Sequence, residues 1–189
     1  MKAILEYLIT MLPFILFVLP ISIALRALYL KRHLPKYING WHEAMLILFI
    51  LFLSALAAHT LLPRLTLEGG AVRLEYDGLG GINLKPFHFV EEIYIEAVRH
   101  GNTEYFIINF LGNIGMFVPL GLMPKLLWRV RSRWVLLWGF AASLMIEVAQ
   151  LCLPRSTDID DLILNTLGVL LGLGIYPMLK KTADRFKIH

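Results

Sequence analysis

Five long apolar stretches constrain this chain more than any other feature of its sequence. They cover residues Ile4–Leu30, Ala44–Leu62, Tyr105–Leu122, Trp134–Leu153 and Leu162–Leu179. A helix needs about 20 predominantly apolar residues to cross the hydrocarbon core of a bilayer. We therefore predict an all-α membrane protein, built as a bundle of about five transmembrane helices.

The composition agrees with a membrane environment. Hydrophobic residues make up 58% of the 189 residues and charged residues 17%, whereas average soluble domains contain about 45–50% and about 25%. The mean hydropathy is +0.67. A soluble protein of this composition would expose large apolar patches, which argues against a cytosolic enzyme. The single cysteine, Cys152, excludes an intrachain disulfide and a cysteine-based metal cluster.

The basic residues predict the orientation of the chain in the membrane. Eleven of the 18 lysines and arginines lie within residues 31–36, 125–133 and 180–187, and cytoplasmic loops are enriched in such residues. These three segments share one side only if there are five spans, with the N-terminus outside and the C-terminus inside. Because each basic run adjoins an apolar stretch, we interpret the runs as orientation signals and expect no nucleic-acid partner.

This topology divides the chain into four parts. Residues 1–62 hold two N-terminal transmembrane helices, residues 63–104 form an extracytoplasmic segment, residues 105–179 form a three-helix core, and residues 180–189 form a cytoplasmic tail. Loops as long as the extracytoplasmic segment seldom lack secondary structure, so we expect it to have structure of its own.

Two patterns divide the extracytoplasmic segment. Leu65–Glu68 and Ala71–Tyr76 flank Gly69-Gly70, and this arrangement is typical of a β-hairpin with a two-residue turn. Residues Pro86–Arg99 have helical periodicity and predict an amphipathic helix. This helix either lies on the outer membrane surface or packs over the top of the bundle. Its apolar face holds Phe89, Ile93 and either Ala97 or Val98, opposite Glu91, Glu92 and Glu96.

Polar residues in the last three spans recur on single helix faces near the predicted outer ends. Polar groups inside a membrane are costly, so they are usually paired, solvated or functional. We therefore predict an outward-facing polar site, to which Asn83 and His59 also contribute from outside this core. The core residues of the candidate site are Asn109, Asn113, Ser143, Glu147, Gln150, Arg155, Asp158, Asp160, Asp161 and Asn165.

These residues also have structural interpretations. A carboxylate at Glu147 must be protonated, hydrated or paired, and Arg155 is the nearest partner in the sequence. Asn109 and Asn113 favour interhelical hydrogen bonds.

The aspartates at 158, 160 and 161 suit a helix N-terminus. Three carboxylates exceed what a cap requires, so with Glu147 they could instead hold a divalent cation through oxygen ligands. Their spacing matches no calcium loop, and no other cofactor is indicated.

Small residues predict close contacts between the last three helices. Gly168 and Gly172 form a G-x-x-x-G pair, and Gly139 and Ser143 have the same spacing. Such pairs allow helix backbones to approach closely. The third span offers further small positions at Gly112, Gly115 and Gly121.

The polar and small residues form one extended string between Asn83 and Gly172, and this string resembles the VanZ-like family of bacterial integral membrane proteins. The resemblance implies a small helical bundle in the bacterial cytoplasmic membrane. The family's namesake is associated with resistance to teicoplanin, a lipid-bearing glycopeptide that acts at the outer membrane face. The matching motifs are Asn83-Leu84-x-Pro86-Phe87, Asn109-x-x-Gly112-Asn113-x-x-x-Phe117-x-Pro119-x-Gly121, Ser143-x-x-x-Glu147-x-x-Gln150 and Arg155-x-x-Asp158-x-Asp160-Asp161-x-x-x-Asn165-x-x-Gly168.

Two functional hypotheses follow. The first is an envelope protein that binds a lipid headgroup, a lipid-linked precursor or a lipoglycopeptide at the outer polar site. The alternative is a membrane-embedded hydrolase or transferase in which Glu147 or Asp161 acts as general base and Arg155 holds a phosphate. A transporter is disfavoured, because polar groups are confined to the outer half and no internal repeat is evident. The sequence does not indicate an oligomeric state.

Overall fold

The structure is a computed structural model that describes residues 2–33, 38–68, 71–75, 81–99, 101, 110–153 and 155–185. Helices dominate it, and the strands are short. In chain order the elements are α1 (Lys2–His33), α2 (Gly40–Leu61), β1 (Arg64–Glu68), β2 (Ala71–Glu75), β3 (Ile82–Asn83), α3 (His88–Ile93), α4 (Gly112–Trp128), α5 (Ser132–Gln150), β4 (Thr157–Asp158) and α6 (Ile159–Arg185). A π-helical turn, Tyr94–Arg99, continues α3.

Four of the described helices are long and apolar enough to cross a membrane. They are α2, α5, α6 and the part of α1 from Phe14 to His33. The all-α membrane fold is thereby confirmed. Helix α4, which corresponds to the third predicted span, is shorter at 17 residues and is covered by its neighbours, with Phe117 and Leu127 only 1% exposed. The count of five crossing helices and their orientation stay predictions.

The predicted third span, Tyr105–Leu122, ends too early. Helix α4 continues to Trp128, through Pro119 and Pro124, and residues 102–109 lie outside the described part of the chain. The basic residue Lys125 is accommodated within the last turns because its ammonium lies 5.0 Å from the ring centre of Tyr176. A long side chain can thus keep its charge at a polar contact while its stem covers apolar surface.

Side-chain contacts define two ends of the bundle. Arg26 near the end of α1 pairs with Glu43 in the first turn of α2 through two hydrogen bonds of 2.6 and 2.8 Å, and Arg129 after α4 pairs with Asp184 at the end of α6 (2.8 Å). We call this the basic end, because the described lysines and arginines of all three predicted cytoplasmic segments gather there. The opposite end, which we call the acidic end, holds the last turn of α2, the first turn of α4, the last turn of α5 and the start of α6.

Helices α4 and α6 run parallel and make the most extensive helix–helix contact. Glycines on both helices bring one backbone against the other: Gly168 lies against Ile114, and Gly172 lies against Val118. The prediction of close contact is confirmed at these two positions and also at Gly121 and Gly139, which both face Val169. It is wrong at Gly115, which faces open space.

The predicted hairpin is confirmed. Strands β1 and β2 pair antiparallel with Glu68 opposite Ala71, which leaves residues 69 and 70 as the connection. The predicted helix over 86–99 begins at His88 and changes from α to π geometry at Tyr94. Phe89 is half-buried, and its ring centre lies 5.4 Å from that of Phe110. The rest of the predicted apolar face, Ile93 with Ala97 or Val98, lies outside the described side chains.

Candidate functional site

The polar residues of the candidate site meet at the acidic end. They come from α2, α4, α5 and α6 and from the segment that holds β3 and α3. Most are buried although they are polar or charged. The buried members are Ser143, Glu147, Gln150, Arg155, Asp160 and Asn165. The predicted member Asn109 lies outside the described residues.

A short parallel sheet joins the extracytoplasmic segment to the start of α6. Strand β3 pairs with β4, with Asn83 beside Asp158. The backbone amide of Thr157 donates to the carbonyl of Gly81 (2.8 Å), and Asn83 Nδ2 donates to Asp158 Oδ2 (3.0 Å). Asn83 therefore belongs to the polar cluster, although it lies 75 positions before Asp158 in the sequence.

Asp160 fixes the start of α3 on the bundle. Its Oδ1 accepts from the backbone amide of Phe87 (2.6 Å) and its Oδ2 from that of Phe89 (2.8 Å). Phe87 has a left-handed backbone with φ of 64°. The carboxylate residue is only 3% exposed. Asp160 thus satisfies amides at the N-terminus of α3, whereas Asp158 Oδ1 accepts from the backbone amide of Asp160 (2.8 Å) in the first turn of α6, as predicted for this run.

Glu147 and Ser143 face the start of α6 across the α5–α6 contact. Glu147 Oε2 accepts from the backbone amide of Asp158 (3.1 Å), and Ser143 Oγ accepts from Asn165 Nδ2 (2.9 Å). Ser143 is fully buried and Glu147 is 6% exposed. The carboxylates of Asp158 and Asp161 both act electrostatically on Glu147. A cluster of carboxyl groups therefore lies at the junction of the two helices.

Asn113 links α4 to the same cluster. Its Nδ2 donates to Asp161 Oδ1. The expected interhelical hydrogen bond is therefore confirmed at Asn113. Two other amide oxygens, Asn165 Oδ1 and Gln150 Oε1, are buried and have no hydrogen-bond partner among the described residues.

The hydrogen bonds described for Arg155 go to the end of α2, and its expected pairing with Glu147 stays a prediction. The guanidinium donates to the carbonyls of His59 (2.9 Å), Thr60 (2.7 Å) and Leu62 (3.4 Å). The last carbonyls of a helix lack intrahelical partners and carry partial negative charge, which explains why a cation settles there. His59, predicted to contribute to the site, does so here through its backbone carbonyl.

Gln150 binds the same helix end from α5. Its Nε2 donates to the Thr60 carbonyl at 3.2 Å. Gln150 and Arg155 therefore share one acceptor, and together they hold the end of α2 against the acidic end of the bundle.

The predicted divalent-cation site is not supported by this geometry. Among the described residues, no group of three or more His, Cys, Asp or Glu side chains is arranged to hold a metal ion. All four carboxylate oxygens of Asp158 and Asp160 accept hydrogen bonds from amides. The two aspartates therefore serve to hold neighbouring segments in place.

Sequence reasoning missed an exposed apolar surface beside the polar cluster. We call it the apolar rim; its members are 55–71% exposed and lie between β3 and the π-helical turn. Lys85 in the same segment donates to Glu91 (3.0 Å) and thereby lowers the pKa of that exposed carboxyl. The sequence feature that could have predicted this surface is the motif Asn83-Leu84-x-Pro86-Phe87, which places two apolar residues, Leu84 and Phe87, close to a polar one. The rim consists of Ile82, Leu84, Phe87, Val90 and Tyr94.

Comparison with known proteins identifies the family. The model of the VanZ/LLP1 family matches residues 43–180. The match begins near the start of α2, well before the Asn83–Gly172 segment that carries the motifs, and it leaves α1 outside. Searches of curated proteins and of solved structures found no match. Because the match spans well over half of the chain and the fold is a bundle of apolar helices, the chain belongs to the VanZ/LLP1 family of membrane proteins.

Proposed function

We propose that this protein binds the polar head of an envelope lipid, a lipid-linked precursor or a lipoglycopeptide at the acidic end, facing the outside of the bacterial cytoplasmic membrane. One observation carries the proposal: the apolar rim adjoins the buried polar cluster. Phe87 illustrates this directly, because its backbone amide is held by Asp160 while its side chain is exposed. A ligand with a polar head and an apolar tail matches such a junction.

Two further features support the outward orientation. The basic residues gather at the opposite end of the bundle, which by the positive-inside rule favours a cytoplasmic position for that end. Aromatic side chains such as Phe87 and Tyr94 suit the interface between headgroups and hydrocarbon. The polar cluster would then lie at the depth of the outer-leaflet headgroups.

We expect Glu147→Gln to abolish ligand capture without lowering the amount of protein in the membrane. The substitution replaces the carboxyl group at the centre of the cluster with an amide while it keeps the shape of the side chain. Native mass spectrometry of the protein purified with its co-extracted lipids measures the effect. In a susceptible bacterial host, the wild-type protein should raise tolerance to teicoplanin more than tolerance to a glycopeptide without a lipid chain, and Glu147→Gln should not.

The matched control is Glu91→Gln, which makes the same substitution at an exposed position in α3. This variant should behave like the wild-type protein in both assays. If Glu147→Gln is present at normal levels and retains both the bound lipid and the tolerance, the proposed site is wrong.

Cys152 tests the orientation. It is exposed in the turn after α5, at the acidic end, and it is the only cysteine in the sequence. A membrane-impermeant maleimide should therefore label intact cells that express the wild-type protein, and it should not label the Cys152→Ser variant. Labelling that requires permeabilised cells would reverse the proposed orientation.

The enzymatic alternative draws on the grouping of Glu147 with the carboxylates of Asp158 and Asp161. A buried carboxylate among other carboxylates can act as a general base. The phosphate-holding role considered for Arg155 gains no support, because its described hydrogen bonds go to the end of α2. Turnover of labelled lipid-linked substrates by the purified protein, lost in Glu147→Gln, would favour the enzyme over the binding protein.

A further inference from the structure

We propose that the groove between α1 and α2 binds an anionic phospholipid at the basic end of the bundle. This site lies at the opposite end from the polar cluster, and it does not depend on the function proposed above. The proposal follows from the shape of the groove, from the guanidinium of Arg26 within it, and from the cations beside it.

The groove follows the contact between α1 and α2. Its volume is about 550 Å³, which lies within the range of about 300–1,000 Å³ that is usual for ligand sites. Apolar side chains from both helices line it, and several of them are exposed. These include Ile23 and Ala27 from α1 and Ala44 and Leu48 from α2. The groove is therefore open to the surroundings of the helix pair and suits an acyl chain.

Arg26 contributes spare hydrogen-bond donors to the groove. Its Nε and Nη2 donate to the two carboxylate oxygens of Glu43 at 2.6 and 2.8 Å. A guanidinium carries five N–H groups, and the remaining ones donate to no other atom among the described residues. The Arg26 side chain lines the groove and is 25% exposed. A phosphate in the groove can therefore accept from the edge of the guanidinium that Glu43 does not occupy.

Positive charge exceeds negative charge at this end of the groove. Lys31 and Arg32 follow Arg26 along α1 and are exposed, and neither has an ion pair among the described residues. Glu43 is the one carboxylate among the described residues that line the groove. Three cations thus accompany a single carboxylate, and clusters of lysine and arginine beside a membrane helix attract anionic lipids.

Two aromatic side chains indicate the depth of the spare donors in the membrane. The ring centre of Tyr29 lies 4.9 Å from the Arg26 guanidinium, and Trp41 lies at the start of α2. Both rings are about half exposed, at 49% and 52%, and such residues concentrate at the level of the headgroups. A lipid with its phosphate at Arg26 would extend its chain along the groove towards Leu51.

Two lipids with identical chains test the proposal on the full-length protein by native mass spectrometry. Phosphatidylglycerol is anionic, whereas phosphatidylcholine adds a quaternary ammonium that would meet Lys31 and Arg32. We expect phosphatidylglycerol to bind about tenfold more tightly, because each nearby lysine or arginine adds to the attraction of an anionic lipid. This comparison uses the wild-type protein and does not depend on the folding of any variant.

Ala44→Phe tests the groove itself. The larger side chain would fill the space that the acyl chain needs, so we expect the binding of phosphatidylglycerol to weaken about tenfold. The matched control is Ala57→Phe, which makes the same substitution at an exposed position of α2 that does not line the groove. This variant should bind the lipid like the wild-type protein.

A double variant tests the guanidinium. Arg26→Gln combined with Glu43→Gln removes the donors and leaves the net charge unchanged, so weaker binding could not be ascribed to a change of total charge. We expect a loss of about tenfold, as the loss of one charge-assisted hydrogen bond implies. Arg129→Gln combined with Asp184→Asn is the control, because it removes an exposed ion pair from the same end of the bundle.

The groove lipid and a ligand at the acidic end are distinguished by the variants that release them. Glu147→Gln should leave phosphatidylglycerol in the groove, and Ala44→Phe should leave the acidic end intact. The two proposals can therefore fail separately.

Four results would overturn the inference. Equal binding of phosphatidylcholine would show that no anionic lipid is selected. Unchanged binding of phosphatidylglycerol in folded Ala44→Phe would place the lipid outside the groove, and unchanged binding in the folded double variant would exclude Arg26 as its phosphate-binding residue. A lipid-free dimer that dissociates in Ala44→Phe would assign the groove to a second copy of the chain.

Discussion

Replacing Gly172 with alanine should push α4 away from α6 and lower the free energy of unfolding by about 3 kcal/mol, at the upper end of the usual cost of overpacking. A Cβ atom at this position would overlap the carbonyl oxygen of Val118 and would lie 2.9 Å from the Cα of Gly121. Both neighbours are backbone atoms, so no side-chain rotation can relieve the overlap. Gly168→Ala should have a similar effect, because its Cβ would overlap the carbonyl oxygen of Ile114.

Two other glycines on the same helices provide matched controls. At Gly115 in α4 and Gly174 in α6, an added methyl group would meet no described atom within 4 Å. Alanine at either site should be neutral or stabilising by up to about 1 kcal/mol, because it has the higher helix propensity. Unfolding of the detergent-solubilised variants measures the difference. Equal losses at Gly115 and Gly172 would contradict the role of the close backbone contact.

Asp160→Ala should release the β3–α3 segment from the end of the bundle. The substitution removes the acceptor of two backbone amides, those of Phe87 and Phe89, and hydrogen bonds to charged groups contribute about 1.5–3 kcal/mol each. We expect the free energy of unfolding to fall by about 3 kcal/mol, and the amides of Phe87 and Phe89 to lose protection from hydrogen exchange. Asp160→Asn, which keeps one acceptor oxygen, should have an intermediate effect.

Asp184→Ala is the control for Asp160→Ala. Asp184 forms a comparably short ion pair with Arg129, at 2.8 Å, but both side chains are exposed. Exposed pairs contribute about 0.2–1 kcal/mol, so this substitution should change the stability little. Unchanged hydrogen exchange at Phe87 and Phe89 in Asp160→Ala would show that these amides are held by other contacts.

The parts of the fold that follow from local patterns could be predicted from the sequence. The apolar stretches predicted α1, α2, α5 and α6, and the residues flanking Gly69-Gly70 predicted the hairpin. The small residues Gly168 and Gly172 predicted a close helix contact. They could not identify α4 as the partner, because that depends on which backbone lies opposite them.

The partners within the polar cluster could not be predicted in the same way. Arg155 lies close to Glu147 in the sequence, yet it bonds to carbonyls at the end of α2, where the unpaired acceptors of a helix attract it. The pairing of Asn83 with Asp158 rests on strands of only two residues, which are too short to have a recognisable periodicity. The sequence could place the polar residues at one end but could not assign their hydrogen bonds.

The parallel contact between α4 and α6 has a consequence for biosynthesis. The ribosome completes α4 and the whole of α5 before α6 emerges, so the surface of α4 that packs against Gly168 and Gly172 must wait for a partner that is made last. Helix α4 is also shorter than the other long helices, at 17 residues. We therefore expect the nascent chain to hold α4 only loosely until α6 inserts, and chains truncated after α5 to be degraded by membrane proteases.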